Sequence, residues 1–66
     1  MKRRIVAEVT KNWPETENKQ LLSQMFEEVI SVNWDRGYEL ESWQFNTRPF
    51  NLGFVETIVA VFVKRI

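Results

Sequence analysis

The sequence predicts an α+β domain with the element order β-α-β-β. Three observations carry that prediction: an unbroken apolar run at residues 58–63, a single stripe of helical period at 21–30, and two flanking stretches with strand-like alternation. The run Ile-Val-Ala-Val-Phe-Val is β-branched and aromatic throughout. A half-exposed strand would alternate with polar residues, so this one is expected to be covered on both faces.

The first strand is expected at residues 4–10, which are rich in Ile and Val, and it stops at Lys11-Asn12-Trp13-Pro14, where proline removes a ladder donor. From Glu17 the period changes. Leu21, Leu22, Met25, Phe26, Val29 and Ile30 form one apolar stripe, and Lys19, Gln20, Ser23, Gln24, Glu27 and Glu28 fill the other side. Thr16 or Asn18 suits the N-cap, and Glu15 and Glu17 suit the positive end of the helix dipole. Gly37 is the natural terminator, with the helix ending around residues 33–36.

Alternation over residues 38–45 marks the second strand. It puts Tyr38, Leu40, Ser42 and Gln44 on one face and Glu39, Glu41, Trp43 and Phe45 on the other. Residues 46–53, with Pro49 and Gly53, read as a loop, and the third strand follows at 54–64. Placing that strand in the middle, order 1-3-2, makes every neighbouring pair antiparallel and centres the most apolar strand under one helix. Either row of the third strand, Ile58, Ala60 and Phe62 or Val59, Val61 and Val63, qualifies for the helix side.

Sixty-six residues make one domain, 1–66. Such a domain buries only about 60% of its unfolded surface, so association would add useful burial. The chain has no cysteine and no histidine, which excludes a disulfide framework, a thiolate or imidazole metal site, and the usual neutral-pH base. No metal or cofactor is expected. Nine basic and nine acidic residues cancel, so no overall positive field attracts nucleic acid. The basic start at Met1-Lys2-Arg3-Arg4 precedes only three apolar residues before Glu8, too few for a signal-peptide core, and no run approaches a transmembrane length. The expectation is a cytoplasmic protein without membrane contact.

The segment Asp35-Arg36-Gly37-Tyr38-Glu39-Leu40-Glu41-Ser42 resembles the helix-to-strand signature of a small bacterial and phage family of unknown function. In that family a Gly-Trp-Glu-Leu motif follows a helix and opens a strand; here Tyr38 stands in place of Trp. The resemblance spans nearly the whole chain, down to the closing Lys64-Arg65. It implies this fold and small homo-oligomers, and brings no established activity. By analogy it suggests a phage or mobile-element accessory protein, acting in the host cytoplasm as an inhibitor of a host factor. The 46–53 loop and the aromatic-rich second strand depart from the family's plain hairpin.

Three surfaces invite a function. The open sheet face would carry Val6, Glu39, Glu41, Trp43 and Phe45, with charges of both signs suited to twofold self-pairing, so a homodimer is expected. One pole would gather Lys11, Trp13, Arg48, Phe50 and Phe54, either as a partner- or base-stacking site or as a core plug with Lys11 and Arg48 solvated. The opposite pole gathers Lys2, Arg3, Arg4, Arg36, Lys64 and Arg65, either an anion site or solubilising charges that complement the helix end.

Catalysis has no comparable signal. Glu39 with Glu41, and Glu27 with Glu28, come with no sign of a pocket; the serines have no histidine to activate them; Gly37 and Gly53 are isolated. The sequence therefore predicts a non-enzymatic interaction module with a protein partner. The alternative is a nucleotide- or nucleic-acid-binding module that uses the basic and aromatic poles.

Overall fold

The structure, a computed structural model, describes residues 2–14 and 20–65. Strand β1 (Arg4–Trp13) is followed by helix α1 (Leu22–Asp35), strand β2 (Tyr38–Phe50) and strand β3 (Gly53–Lys64). The sheet is antiparallel with the order β1-β3-β2, and the helix packs on one face, as the apolar pattern requires. The central strand sends Ile58, Ala60 and Phe62 to the helix side. There they meet Val9, Leu22 and Phe26, with Ile5, Ala7, Met25, Val29, Ile30, Tyr38 and Leu40 packed around them.

Both edge strands run further than the sequence suggests. β1 continues through Trp13, and β2 continues through Phe50, so the expected 46–53 loop is a two-residue turn, Asn51-Leu52. Asn51 takes φ 53°, a left-handed conformation that asparagine tolerates and that suits the twist of a tight hairpin. Pro49 is accommodated because β2 is an edge strand. Gly53 is needed for close approach: a Cβ there would overlap the Trp13 carbonyl oxygen and lie 2.7 Å from Pro14 Cδ.

The N-cap side chains expected from Thr16 or Asn18, with Glu15 and Glu17, lie outside the described residues. At Leu21 the backbone N–H donates to Gln24 Oε1 at 2.9 Å, which satisfies one free donor of the helix start. At the other end Gly37, at φ 89°, donates its N–H to the Trp34 carbonyl at 3.0 Å. Arg65 donates to the same carbonyl at 2.7 Å and lays its guanidinium 3.7 Å from the Trp34 ring centroid.

The register of β2 breaks once. Leu40 pairs with Phe62 and Ser42 with Val61, so Glu41 is an extra residue, a β-bulge. Because side chains alternate with period two, one inserted residue exchanges the faces of all that follows. Tyr38 and Leu40 lie on the helix side before the bulge; Trp43, Phe45, Thr47 and Pro49 lie on it after. The placement of Trp43 and Phe45 on the open face, drawn from unbroken alternation, is therefore corrected.

The molecule is long, 45 × 19 × 11 Å, with a radius of gyration of 13.6 Å. A compact chain of this length would have about 11 Å. The 14-residue helix spans about 21 Å, roughly half the long axis. Among the described residues no helix is long and apolar enough to cross a membrane.

Candidate interaction site

Successive rows cross the helix-side face: Ile5, Phe62, Leu40; Ala7, Ala60, Trp43; Val9, Ile58, Phe45; Lys11, Glu56, Thr47; and Trp13, Phe54, Pro49. Helix α1 fits the first three rows through Leu22, Met25, Phe26, Val29 and Ile30. Its N-terminal turns then bound a cleft of about 670 Å³ against the sheet, lined by Leu21, Phe26, Trp13, Trp43, Phe45 and Ile58. Phe26 meets Trp43 with ring centroids 5.7 Å apart and planes tilted by 59°. Even so, Trp43, Phe45, Phe54 and Leu21 all remain about half exposed. Leu21, Trp43 and Phe45 around the cleft, with Phe54 further along the same face, form the largest concentration of such surface on the described chain.

The aromatic pole divides between two faces. Trp13 and Phe54 are on the helix side, stacked at 6.3 Å, and the Trp13 indole N–H donates to the Glu56 carboxylate. Lys11 shares that side: it is only 1% exposed, with Nζ 4.9 Å from the Trp13 ring. A solvated Lys11 is thus corrected, for it lies in register with Val9 and Trp13 and not with the outward residues of β1. Arg48 and Phe50 pair with Val55 and Gly53 and occupy the opposite face. The cluster expected at this pole is therefore split, Lys11 with Trp13 and Phe54 on the helix side and Arg48 with Phe50 on the other.

At the other pole three of the six cations, Arg4, Lys64 and Arg65, have side-chain or ring partners. Arg4 Nε donates to both Glu41 carboxylate oxygens, at 3.0 and 3.1 Å. This exposed pair reaches across β3 on the open face and contributes about 0–1 kcal/mol. Lys64 Nζ lies 5.1 Å from the Tyr38 ring, and Arg65 covers Trp34. Arg3 is exposed, and its carbonyl accepts the Lys64 N–H at 2.8 Å.

The open face holds Val55, Val59, Val61 and Val63 of β3 beside Val6 and Glu39. Val55 and Val63 are nevertheless buried by their neighbours; of the valines on this face only Val6, at 69%, and Val59, at 37%, are exposed, and Phe50 is exposed at the turn end. Of the five residues expected at a self-pairing interface, Val6, Glu39 and Glu41 share this face, and Trp43 and Phe45 are on the other.

The bulge has a legible signal. Unbroken alternation puts the polar Ser42 and Gln44 under the helix with Tyr38 and Leu40, and leaves Trp43 and Phe45 with Glu39 and Glu41. That mismatch vanishes if the apolar set changes parity between positions 40 and 43. Leu21 and Phe26 also line the cleft: Phe26 is buried as its stripe position implies, whereas Leu21 is exposed where the helix stops short of the sheet's end.

Among the described residues no group of three or more metal-ligating side chains occurs. No family model, curated protein or solved structure matches the chain.

Proposed function

We propose that the chain is a non-enzymatic protein-interaction module whose working surface is the helix-side aromatic strip around Trp43 and Phe45. The observation that supports it is the size of this exposed surface. Trp43, Phe45 and Phe54 are 53%, 51% and 44% exposed, and with Leu21 they offer on the order of 400 Å² of apolar area. One side of a standard protein interface is about 800 Å², of which roughly 57% is apolar. The strip alone matches that apolar share. By contrast, the open face offers Val6 and Val59, on the order of 150 Å² together, with its other large exposed apolar side chain, Phe50, set apart at the turn end of the hairpin.

The phosphate-ligand alternative draws less from the geometry. Arg4, Lys64 and Arg65 already have anionic or aromatic partners, and Arg48 is on the face away from Trp13 and Phe54. An accessory role in a phage or mobile element, blocking a host factor, is a setting that suits a small module of this kind.

The test is quantitative capture by the tagged chain from a lysate of the cell that carries it, comparing Trp43→Glu and Phe45→Glu with Val6→Glu, each checked for folding by circular dichroism. The reading predicts a specific protein retained by wild type and Val6→Glu and lost by both strip variants. Retention by folded Trp43→Glu and Phe45→Glu overturns it.

A further inference from the structure

We propose that the free edge of β2 pairs with the same edge of a second copy, antiparallel about a twofold axis at Gln44, to form a six-stranded sheet. This goes beyond the partner-binding reading and does not rest on it.

Among the described residues β2 pairs only with β3, so its other edge offers unpaired backbone groups to any strand that fits. The turn decides which residues point outward. Phe50 and Gly53 flank a two-residue turn and exchange hydrogen bonds, as the closing pair of such a hairpin does. Alternation then directs Arg48, Asn46, Gln44 and Ser42 toward β3 and leaves Trp43, Phe45 and Thr47 directed outward. Pro49 falls in the outward set, where its missing N–H breaks no bond to β3.

Edges are ordinarily guarded by charge, proline or bulges. Here those devices stand at the two ends of the strand, the Glu41 bulge with Glu39 at one and Arg48-Pro49 at the other. Between them Ser-Trp-Gln-Phe-Asn-Thr, residues 42–47, carries no charge. The unguarded stretch is the one a self-pairing strand would keep open.

A twofold axis perpendicular to the sheet keeps each face on its own side, so opposed residues must share a face. With the axis at Gln44, Trp43 opposes the second copy's Phe45 twice, and these outward residues exchange main-chain bonds. Aromatic pairs of this kind stabilise antiparallel sheets. The bulge absorbs Glu41, so Arg48 opposes the second copy's Glu39, again twice, on the open face. Both side chains are exposed, and neither has an ion-pair partner among the described residues. Moving the axis to Phe45 sets Trp43 against Thr47 and Arg48 against Ser42, losing both matches. Only the Gln44 axis satisfies rings and charges together. The two aromatic strips then join into one, flanked by two helices.

The experiment is sedimentation of the full chain up to about 100 µM, a range that detects micromolar association. The proposal predicts twice 7.9 kDa for wild type, and 7.9 kDa with an unchanged far-ultraviolet spectrum for Gln44→Lys, which sets like charges against each other. Arg48→Glu should weaken pairing about tenfold or more, and the double variant Glu39→Arg/Arg48→Glu should restore it. Gln44→Cys adds the chain's only cysteine at the axis, where facing Cα atoms about 4.5 Å apart suit a disulfide, so oxidation should give a covalent dimer that Ser42→Cys does not. A monomeric wild type overturns the proposal. So does a dimer that survives Gln44→Lys and is lost in Val6→Glu, or one that Gln44→Cys fails to link.

Discussion

Deleting Glu41 separates a bulged β2 from a regularly alternating one. In a regular strand, removing one residue turns everything on one side of the cut onto the opposite face. Either Tyr38 and Leu40 or Trp43 and Phe45 would then leave their contacts with helix α1. Because these side chains are only partly buried, losing either pair costs about 3 kcal/mol or more together. A 66-residue domain holds roughly 3–10 kcal/mol in total, so such a chain would lose a large share of its stability or unfold. In the bulged strand, Leu40 and Ser42 simply become consecutive partners of Phe62 and Val61, and every later residue keeps its face. What disappears is the exposed Arg4–Glu41 pair, about 0–1 kcal/mol. Urea denaturation followed by circular dichroism reads the difference. With a slope of about 1 kcal/mol per molar for a small domain, the midpoint should fall by less than about 1 M. An unfolded product, or a loss above about 3 kcal/mol, would refute the assignment of Glu41 as the extra residue.

Two further substitutions test the ends of the fold. Gly53→Ala forces a Cβ against the Trp13 carbonyl and should detach the end of β1, lowering stability by about 2 kcal/mol or more, measurable by the same denaturation and by faster hydrogen exchange at Asn12 and Trp13. Arg65→Ala removes both a donor to the Trp34 carbonyl and the cation over its ring; a loss of about 1–2 kcal/mol should lower the melting temperature by roughly 5–10 °C. An unchanged melting temperature would show that Arg65 does not hold the helix end.

The element order and the central place of β3 were legible because the 58–63 run is apolar on both faces and one helix stripe stands alone with its period. Gly37 marked the helix end for a plain conformational reason. The length of β2 was not legible: Pro49 and Gly53 are ordinary loop markers, and only the edge position of the strand and the close approach of Trp13 turn them into strand residues. The site was half legible. Trp43 and Phe45 stand out as large exposed aromatics in any reading, but their face depends on one unpaired residue, and period-two reasoning carries that single insertion through the remainder of the strand. Lys11 shows the converse, since its charge suggested solvent while its register put it beside Trp13.

The bulge brings Trp43 to the helix side, against Phe26. Nuclear Overhauser contacts from the Trp43 indole protons measure this directly. The bulged strand should give cross-peaks to the Phe26 ring, whose centroid lies 5.7 Å away, and none to the Val6 methyls. Cross-peaks to Val6 and Val61 without any to Phe26 would contradict it.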